Sequence, residues 1–226
     1  MQTIDMNGKH ITLWTPEDGA TGQLPLVYLN VFDGDGADVW RACQELGTPP
    51  FALAAIGGLD WNRELSPWPC DGTVRNSEPF AGQAAAYLDE LAALIVPAVE
   101  ARLSAPPAYR ALAGYSLAGL FALWAPFYTD VFDRVASVSG SLWFPDFVDF
   151  ARTHGTVAPL ERAYLSLGKK ETRTPNRMMR HVLAATQDMH SLYSENGVES
   201  TFELNPGNHF SNPAERCAKA LAWTLG

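Results

Sequence analysis

The sequence predicts an α/β fold: one mostly parallel sheet of about seven to eight strands, covered by helices on both faces. Short apolar runs alternate with longer stretches of helical spacing along the whole chain. Several of those runs are almost continuously apolar, as a strand must be when both of its faces are buried. The composition supplies the material for a core. Of 226 residues, 47% are hydrophobic and 18% charged, against roughly 25% charged in an average soluble protein. That excludes a disordered chain and fits a single domain over residues 1–226.

The strand candidates, in order, are residues 11–14, 26–31, 51–56, 109–113, 135–138, 163–167 and 201–204. Helical patterns lie at 37–46, 80–103, 117–128, 147–154, 175–196 and 213–224. In the second of these, Tyr87, Leu88, Leu91, Leu94 and Ile95 recur at spacings of three and four and share one face. Two connections are long and irregular. One covers residues 57–79, rich in Gly, Pro and Trp, and the other follows Gly168. Both leave the carboxyl end of a predicted strand, where open α/β sheets place their ligands, and loops of such length in a domain are usually functional. No internal repeat, low-complexity tract or charge block marks a linker.

Sixteen basic residues against 25 acidic ones leave a net charge of −9 and a pI near 4.9. Such a chain repels phosphate backbones and anionic lipids, which excludes a general nucleic-acid or membrane-surface binder. The three cysteines, Cys43, Cys70 and Cys217, are an odd number without a CxxC pair, too few for a disulfide framework. Residues 1–5 show no basic start leading into an apolar run, and no stretch reaches the ~18 apolar residues of a membrane span. A cytoplasmic protein acting on a small molecule is expected, with its oligomeric state left open.

Chemistry concentrates in Gly114-Tyr115-Ser116-Leu117-Ala118-Gly119. A short apolar strand runs into this segment and an apolar helix runs out of it. A serine on so sharp a strand-to-helix turn sits in a strained backbone, and the residues two before and two after it must be small. Gly114 and Ala118 meet that demand, and Gly119 lets the helix pack closely. The turn lifts the hydroxyl above the sheet and aims a helix N-terminus at any developing oxyanion, with the Leu117 N–H as one donor.

A nucleophilic serine needs a base, and the chain has five histidines. His10 falls at the start of the first predicted strand. His181 and His190 are nine residues apart on one helix, on opposite faces, and cannot pair as metal ligands. His154 reads as a helix-end cap. His209, in the Gly/Pro/Asn-rich loop after the last strand, stands where this architecture delivers its base in the order serine, acid, histidine. The acid should follow the predicted strand 163–167, and Glu171 is the carboxylate there. A surface role for Glu171 beside Lys169 and Lys170, a Ser–His pair without an orienting acid, and Asp188 or Glu195 as poorer candidates all remain open.

The loop after residues 26–31 reads Phe32-Asp33-Gly34-Asp35-Gly36. Its glycines allow backbone amides to turn toward a ligand, so a second oxyanion donor is expected near Gly34 or Asp35. A calcium site lacks the further oxygen ligands it would need, and no Gly-Lys-Ser/Thr follows for a phosphate cradle. No metal or organic cofactor is implied. Trp61, Arg63 and Trp68 in the first long loop, Tyr115 beside the serine, and Trp143 and Phe144 after the fifth strand are expected to line a substrate pocket. Aromatic faces with a guanidinium suit a flat, electron-rich or anionic acyl group.

Together these blocks resemble the esterase D-like branch of the α/β-hydrolases, which includes siderophore trilactone esterases, S-formylglutathione hydrolases and mycolyltransferases. The resemblance runs from about Leu26 to Phe210. It rests on Phe32-Asp33-Gly34, Ala55-Ile56-Gly57, Arg63, Ser66-Pro67, Gly114 to Gly119, Ser139-Gly140-Ser141-Leu142-Trp143-Phe144, Gly168-Lys169-Lys170-Glu171 and Gly207-Asn208-His209-Phe210. Tyr115 stands where many members have histidine, and Ala118 where glycine is usual. The resemblance implies Ser116 as nucleophile, His209 as base, and a serine esterase working through an acyl-enzyme. Glu171 matches the family's acid position only approximately, a third departure. Ser141-Leu142-Trp143 and the short chain look closest to the siderophore-esterase group. The competing expectations are acyl transfer on the same fold and a catalytically silent binding module.

Overall fold

Asn7 and Gly8 both take positive φ (50° and 79°), the pairing that suits a two-residue hairpin turn between right-twisted antiparallel strands. They join β1 (Gln2–Met6) to β2 (Lys9–Trp14), with Met6 opposite Lys9. The computed structural model describes residues 1–16, 23–72 and 77–226. After the hairpin come β3 (Leu26–Asn30), α1 (Ala37–Leu46), β4 (Ala52–Gly57), a short helix α2 (Trp61–Glu64), and the two-residue strands β5 (Pro69–Cys70) and β6 (Phe80–Ala81). Then follow α3 (Ala84–Glu90), α4 (Val96–Glu100), β7 (Arg110–Tyr115), α5 (Leu117–Trp124), β8 (Arg134–Val138), α6 (Phe147–Thr153), β9 (Arg162–Gly168), α7 (Val182–Glu195), β10 (Glu199–Asn205) and α8 (Pro213–Leu225).

The main sheet has eight strands in the order β1-β2-β4-β3-β7-β8-β9-β10. β2 pairs antiparallel with β1 and with β4, and every pairing from β4 onward is parallel. Every residue of β3 and β4 is buried, which is why both read as continuous apolar runs. Helices cover both faces, as expected. One core layer gathers residues of α3 to α7, such as Leu91, Phe121 and Phe147; the other gathers Cys43 of α1 and Cys217 and Leu221 of α8.

Several expected boundaries move, each for a local reason. β1 lies outside the strands read from the sequence because it buries a single side chain, Ile4, although Asn7-Gly8 is a hairpin signal. The helix expected over 80–103 begins at Ala84 and widens into a π-turn at Leu91–Ile95. Pro97 sits in the first turn of the resumed α4, and a proline there lacks the N–H for a regular helical bond. Pro126 likewise ends α5 in a 3₁₀ turn, Ala125–Phe127. The pattern 175–196 becomes helix only from Val182, preceded by a 3₁₀ turn at Met179–His181. The long connection 57–79 holds α2 and β5; its residues 73–76 lie outside the described ones.

Parallel strands all point their carboxyl ends one way. The segments after β3, β4, β7, β8, β9 and β10 therefore emerge on a common edge, and they carry Phe32, Trp61, Ser116, Ser139, Glu171 and His209.

Candidate active site

Ser116 links β7 to α5 with φ 58° and ψ −120°, a conformation that L-residues avoid and that costs roughly 1–3 kcal/mol. The surroundings fix it. The Ser116 N–H donates to the Val138 carbonyl, and its own carbonyl accepts from Gly119, Leu120 and Ser141. A Cβ on Gly114 would lie 2.4 Å from the Ala118 backbone, and one on Gly119 would lie 3.0 Å from the Gly114 carbonyl. With a methyl already present at Ala118, glycine is the residue that fits at 114. Leu117 opens α5, so its amide is among those a helix leaves without an internal partner.

His209 Nε2 lies 3.0 Å from Ser116 Oγ, and His209 Nδ1 lies 2.9 Å from Glu171 Oε2. The three side chains form one relay. They come from separate strand ends, and the backbone joins two of those ends: Lys169 N–H donates to the Asn205 carbonyl and Lys170 N–H to the Gly207 carbonyl. The β9–β10 pairing thus continues past the strands and draws the acid loop against the histidine loop. A turn closed by Glu171 N–H to Gly168 O aims the carboxylate inward.

The Glu171 side chain is 5% exposed. Its Oε1 accepts from the Gly168 amide, from Ser139 Oγ at 2.7 Å and from Arg216 Nη1 at 3.4 Å, leaving Oε2 for the histidine. Burial pushes the carboxyl up, but hydrogen bonds from His209, the Gly168 amide and Ser139 together hold it below the ordinary carboxylate value.

Arg216, Ser139 and the hydroxyl of Tyr115 complete the support, and sequence reasoning did not assign it to them. Arg216 on α8 donates Nη2 to the carbonyls of Pro206 (2.7 Å) and Asn208 (2.9 Å), and Nη1 to Ser139 Oγ (3.0 Å) and Tyr115 Oη (3.2 Å). Tyr115 donates in turn to the His209 carbonyl at 2.6 Å, and burial pushes its hydroxyl up, keeping it a donor. Tyr115 therefore braces the histidine loop as well as lining a cavity. A signal for Arg216 existed: with Ala220 and Thr224 it shares a buried stripe at fourth-residue spacing, where a lone arginine must have partners.

The relay lies where two cavities meet, both lined by Ser116, His209 and Phe210. The first, about 280 Å³, adds Ser141, Trp143, Lys170, Arg173, Asn208 and Met179. The second, about 480 Å³, adds Leu29, Val31, Phe32, Trp61, Tyr115 and Cys217. Phe32 and Phe210 are 78% and 86% exposed and stand at the mouth. Of the residues expected in a pocket, Trp61, Tyr115 and Trp143 line these cavities. Arg63 does not; its Nε donates to Gln83 at 2.6 Å. Nor do Trp68 and Phe144, whose rings pack together at 5.8 Å while Trp68 Nε1 holds the Pro145 carbonyl. They are the wall behind Trp143.

The loop after β3 reaches the second cavity through Val31, Phe32 and Asp33 rather than through Gly34 or Asp35. The Gly34 N–H is taken by Asp33 Oδ1 at 2.8 Å, and Asp35 Oδ1 accepts from Ala37. Asp188 pairs with Arg152, remote from the relay. The remaining histidines with side-chain partners are bonded elsewhere: His10 to Asp5, His154 to the Phe150 carbonyl at its helix end, and His190 to Ser200. Among the described residues no cluster of His, Cys, Asp and Glu could hold a metal ion, and no helix is long and apolar enough to cross a membrane.

A mostly parallel sheet with helices on both faces and a strand-to-helix serine turn at its carboxyl edge defines the α/β-hydrolase fold class. The comparisons with known proteins go one step further. The family model described as "Putative esterase" matches residues 11–212, and the chain belongs to that family. It is 25% identical to the uncharacterized protein YbbA of Bacillus subtilis (strain 168), covering 96% of this chain and 93% of that protein. Among solved structures, an IroE-like serine hydrolase from Shewanella oneidensis superposes with a TM-score of 0.79 at 16% identity, over 99% of this chain and 79% of that one. The siderophore hydrolase EstB from Aspergillus nidulans gives 0.76 at 18% identity, over 99% and 94%. The enterobactin esterase FES from Shigella flexneri gives 0.72 at 18% identity, over 99% of this chain and 58% of that one. At these identities the structural likeness is one of fold.

Proposed function

We propose that the protein is a serine esterase that hydrolyses carboxylic esters through an acyl-enzyme. The observation that carries this reading is the continuous relay from Ser116 Oγ through His209 to Glu171, at 3.0 and 2.9 Å. As Ser116 Oγ attacks the ester carbonyl, Nε2 of His209 takes the hydroxyl proton. Glu171 accepts the Nδ1–H bond throughout and stabilises the imidazolium without taking its proton. The carbonyl oxygen becomes an oxyanion facing the Leu117 amide, and the second donor is assigned to the amide of Phe32 or Asp33, residues that line the cavity where Gly34 and Asp35 do not. Collapse of this intermediate breaks the bond to the alcohol, which leaves with the proton from Nε2. A water then gives its proton to His209 and attacks the acyl-serine; the acid departs and Ser116 regains its hydrogen.

Two features favour hydrolysis over the alternatives. The His209 side chain is 30% exposed, so water has access to the base that would activate it, which favours hydrolysis over transfer to a second alcohol. The fully partnered Glu171 carboxylate argues against a silent binding module. For the acyl group, Phe32, Trp61, Trp143 and Phe210 border the site and suit a flat ring. Aromatic-acyl or siderophore-type trilactone esters are the preferred class in this reading; the structural neighbours include a siderophore hydrolase and an enterobactin esterase.

A fluorophosphonate probe tests it. Wild-type protein is expected to take up one equivalent, on the serine at 116, while Ser116→Ala and His209→Ala take up none at the same exposure. Absent labelling of a folded wild type, or equal labelling of Ser116→Ala, would refute the esterase. Faster turnover of long-chain aliphatic esters than of benzoyl esters would refute the aromatic preference alone.

A further inference from the structure

The molecule is acidic overall, yet its cations are unevenly spread. Five of its sixteen basic residues, Lys169, Lys170, Arg173, Arg177 and Arg180, fall within the twelve positions 169–180. Among the described residues none of the five forms an ion pair, whereas Arg110, Arg134, Arg162 and Lys219 elsewhere each hold a carboxylate. Two of the five, Lys170 and Arg173, line the smaller cavity beside Ser116 and His209. The carboxylate in that lining is Glu171, and both of its oxygens are already engaged by His209, Ser139, Gly168 and Arg216. The carboxylates near the relay that remain, Asp33 and Asp38, belong to the other cavity.

This placement works against the chemistry unless something compensates. Attack by Ser116 turns His209 into an imidazolium, and two unpaired cations in the same cavity raise the energy of that state. A substrate that brings a negative charge into the cavity removes the conflict and gains charge-assisted hydrogen bonds from both side chains. We infer that Lys170 and Arg173 form an anion subsite, and that the preferred substrates are esters carrying a carboxylate or a like oxyanion on the part that fills the smaller cavity. The inference rests on the esterase reading and adds a charge requirement to it. Arg63, tied to Gln83, does not supply that charge. In a chain of net charge −9, the basic segment also offers anionic substrates an attractive approach to the serine.

The test uses two matched ester pairs. Mono-p-nitrophenyl adipate against p-nitrophenyl hexanoate puts the charge on the acyl half. 4-Carboxyphenyl acetate against its methyl ester puts it on the alcohol half. In wild type, at least one anionic ester is expected to exceed its neutral partner by about tenfold or more in kcat/KM. The preferred arm then identifies the half that occupies the cavity. That preference should shrink as salt is raised in the unmodified protein, and disappear in Lys170→Gln/Arg173→Gln. Arg152→Gln, which removes a surface charge paired with Asp149 and Asp188, should keep it. No preference in either arm, or one that survives both salt and the double substitution, overturns the subsite while Ser116-dependent turnover of the neutral esters leaves the esterase standing. Absence of turnover on all four esters overturns both.

Discussion

Glu171 follows two lysines in a turn, and nothing in its local sequence separates it from a surface glutamate. Its position after β9 makes it a candidate, and the partners of Oε1 make it an acid fixed in its ionised form. Those partners are remote in sequence: Ser139 follows β8 and Arg216 lies on α8. A reading by position therefore finds the residue but cannot decide between a triad and a Ser–His pair. Ser116 and His209 were legible because their local sequence is itself constrained, by the small residues of the turn and by the Gly/Pro loop. Glu171→Gln keeps the shape but supplies an amide where Nδ1–H needs an acceptor. The expected outcome is a fall in kcat of up to ~10⁴-fold with KM little changed, and a loss below tenfold in steady-state kinetics would point to a Ser–His pair. The same residue sets a pH effect on stability. Its folded value lies below the ordinary carboxylate range, so its contribution is full above the unfolded value of about 4.3. It is lost as pH falls through the lowered folded value. Denaturant titrations should show the difference between wild type and Glu171→Gln narrowing on acidification through that window; a gap that widens there would reverse the assignment.

Elements hold the histidine rather than the histidine's own loop. β9 and β10 bring the two loops side by side, and α8 closes them from behind through Arg216. Its guanidinium spans the carbonyls of Pro206 and Asn208 on one edge and Ser139 and Tyr115 on the other. Gly168 leaves room for it: a Cβ there would come within 2.9 Å of Arg216 Nη2. The sequence placed α8 within a residue of its end, since its apolar spacing is regular, but the role of a buried arginine depends on what crosses above the helix. Arg216→Ala removes both edges and leaves Glu171 with a weaker partner set. Breaking such a buried pair is expected to cost about 3–5 kcal/mol of stability and to lower kcat by about 100-fold, with KM for a small neutral ester changed far less. Arg216→Lys should recover stability better than kcat, because an ammonium cannot make the two-edged contact. A lysine variant with full kcat, measured on folded protein by circular dichroism, would reduce Arg216 to a packing residue.

At the scale of the molecule, the parallel sheet with helices on both faces was legible because buried strands and amphipathic helices carry opposite periodicities. The order of strands, the added β1 and the division of the site into two cavities were not. They depend on which elements become neighbours, and the same local patterns permit several arrangements. The cysteines report on that packing. Cys43 on α1 and Cys217 on α8 both sit in the core layer between those helices and the sheet, whereas Cys70 lies in the short strand β5 and is partly exposed. Burial pushes the Cys43 thiol up to about 11 and that of Cys217 up as well; Cys70 is also raised, first by burial and then by Asp71 and Asp146. Alkylation requires the thiolate and access to it. Cys43 becomes available only when α1 leaves the sheet, an opening that approaches global unfolding in free energy, about 5–15 kcal/mol. Native protein treated with iodoacetamide should therefore carry its first adduct on Cys70, with Cys43 reacting at least ~10³-fold more slowly and all three reacting once denaturant is added. Peptide mass spectrometry reads the order directly. Cys43 and Cys70 labelling at equal rates in the native state would mean that the layer formed by α1 and α8 is loose, and with it the helix that carries Arg216 to the histidine loop.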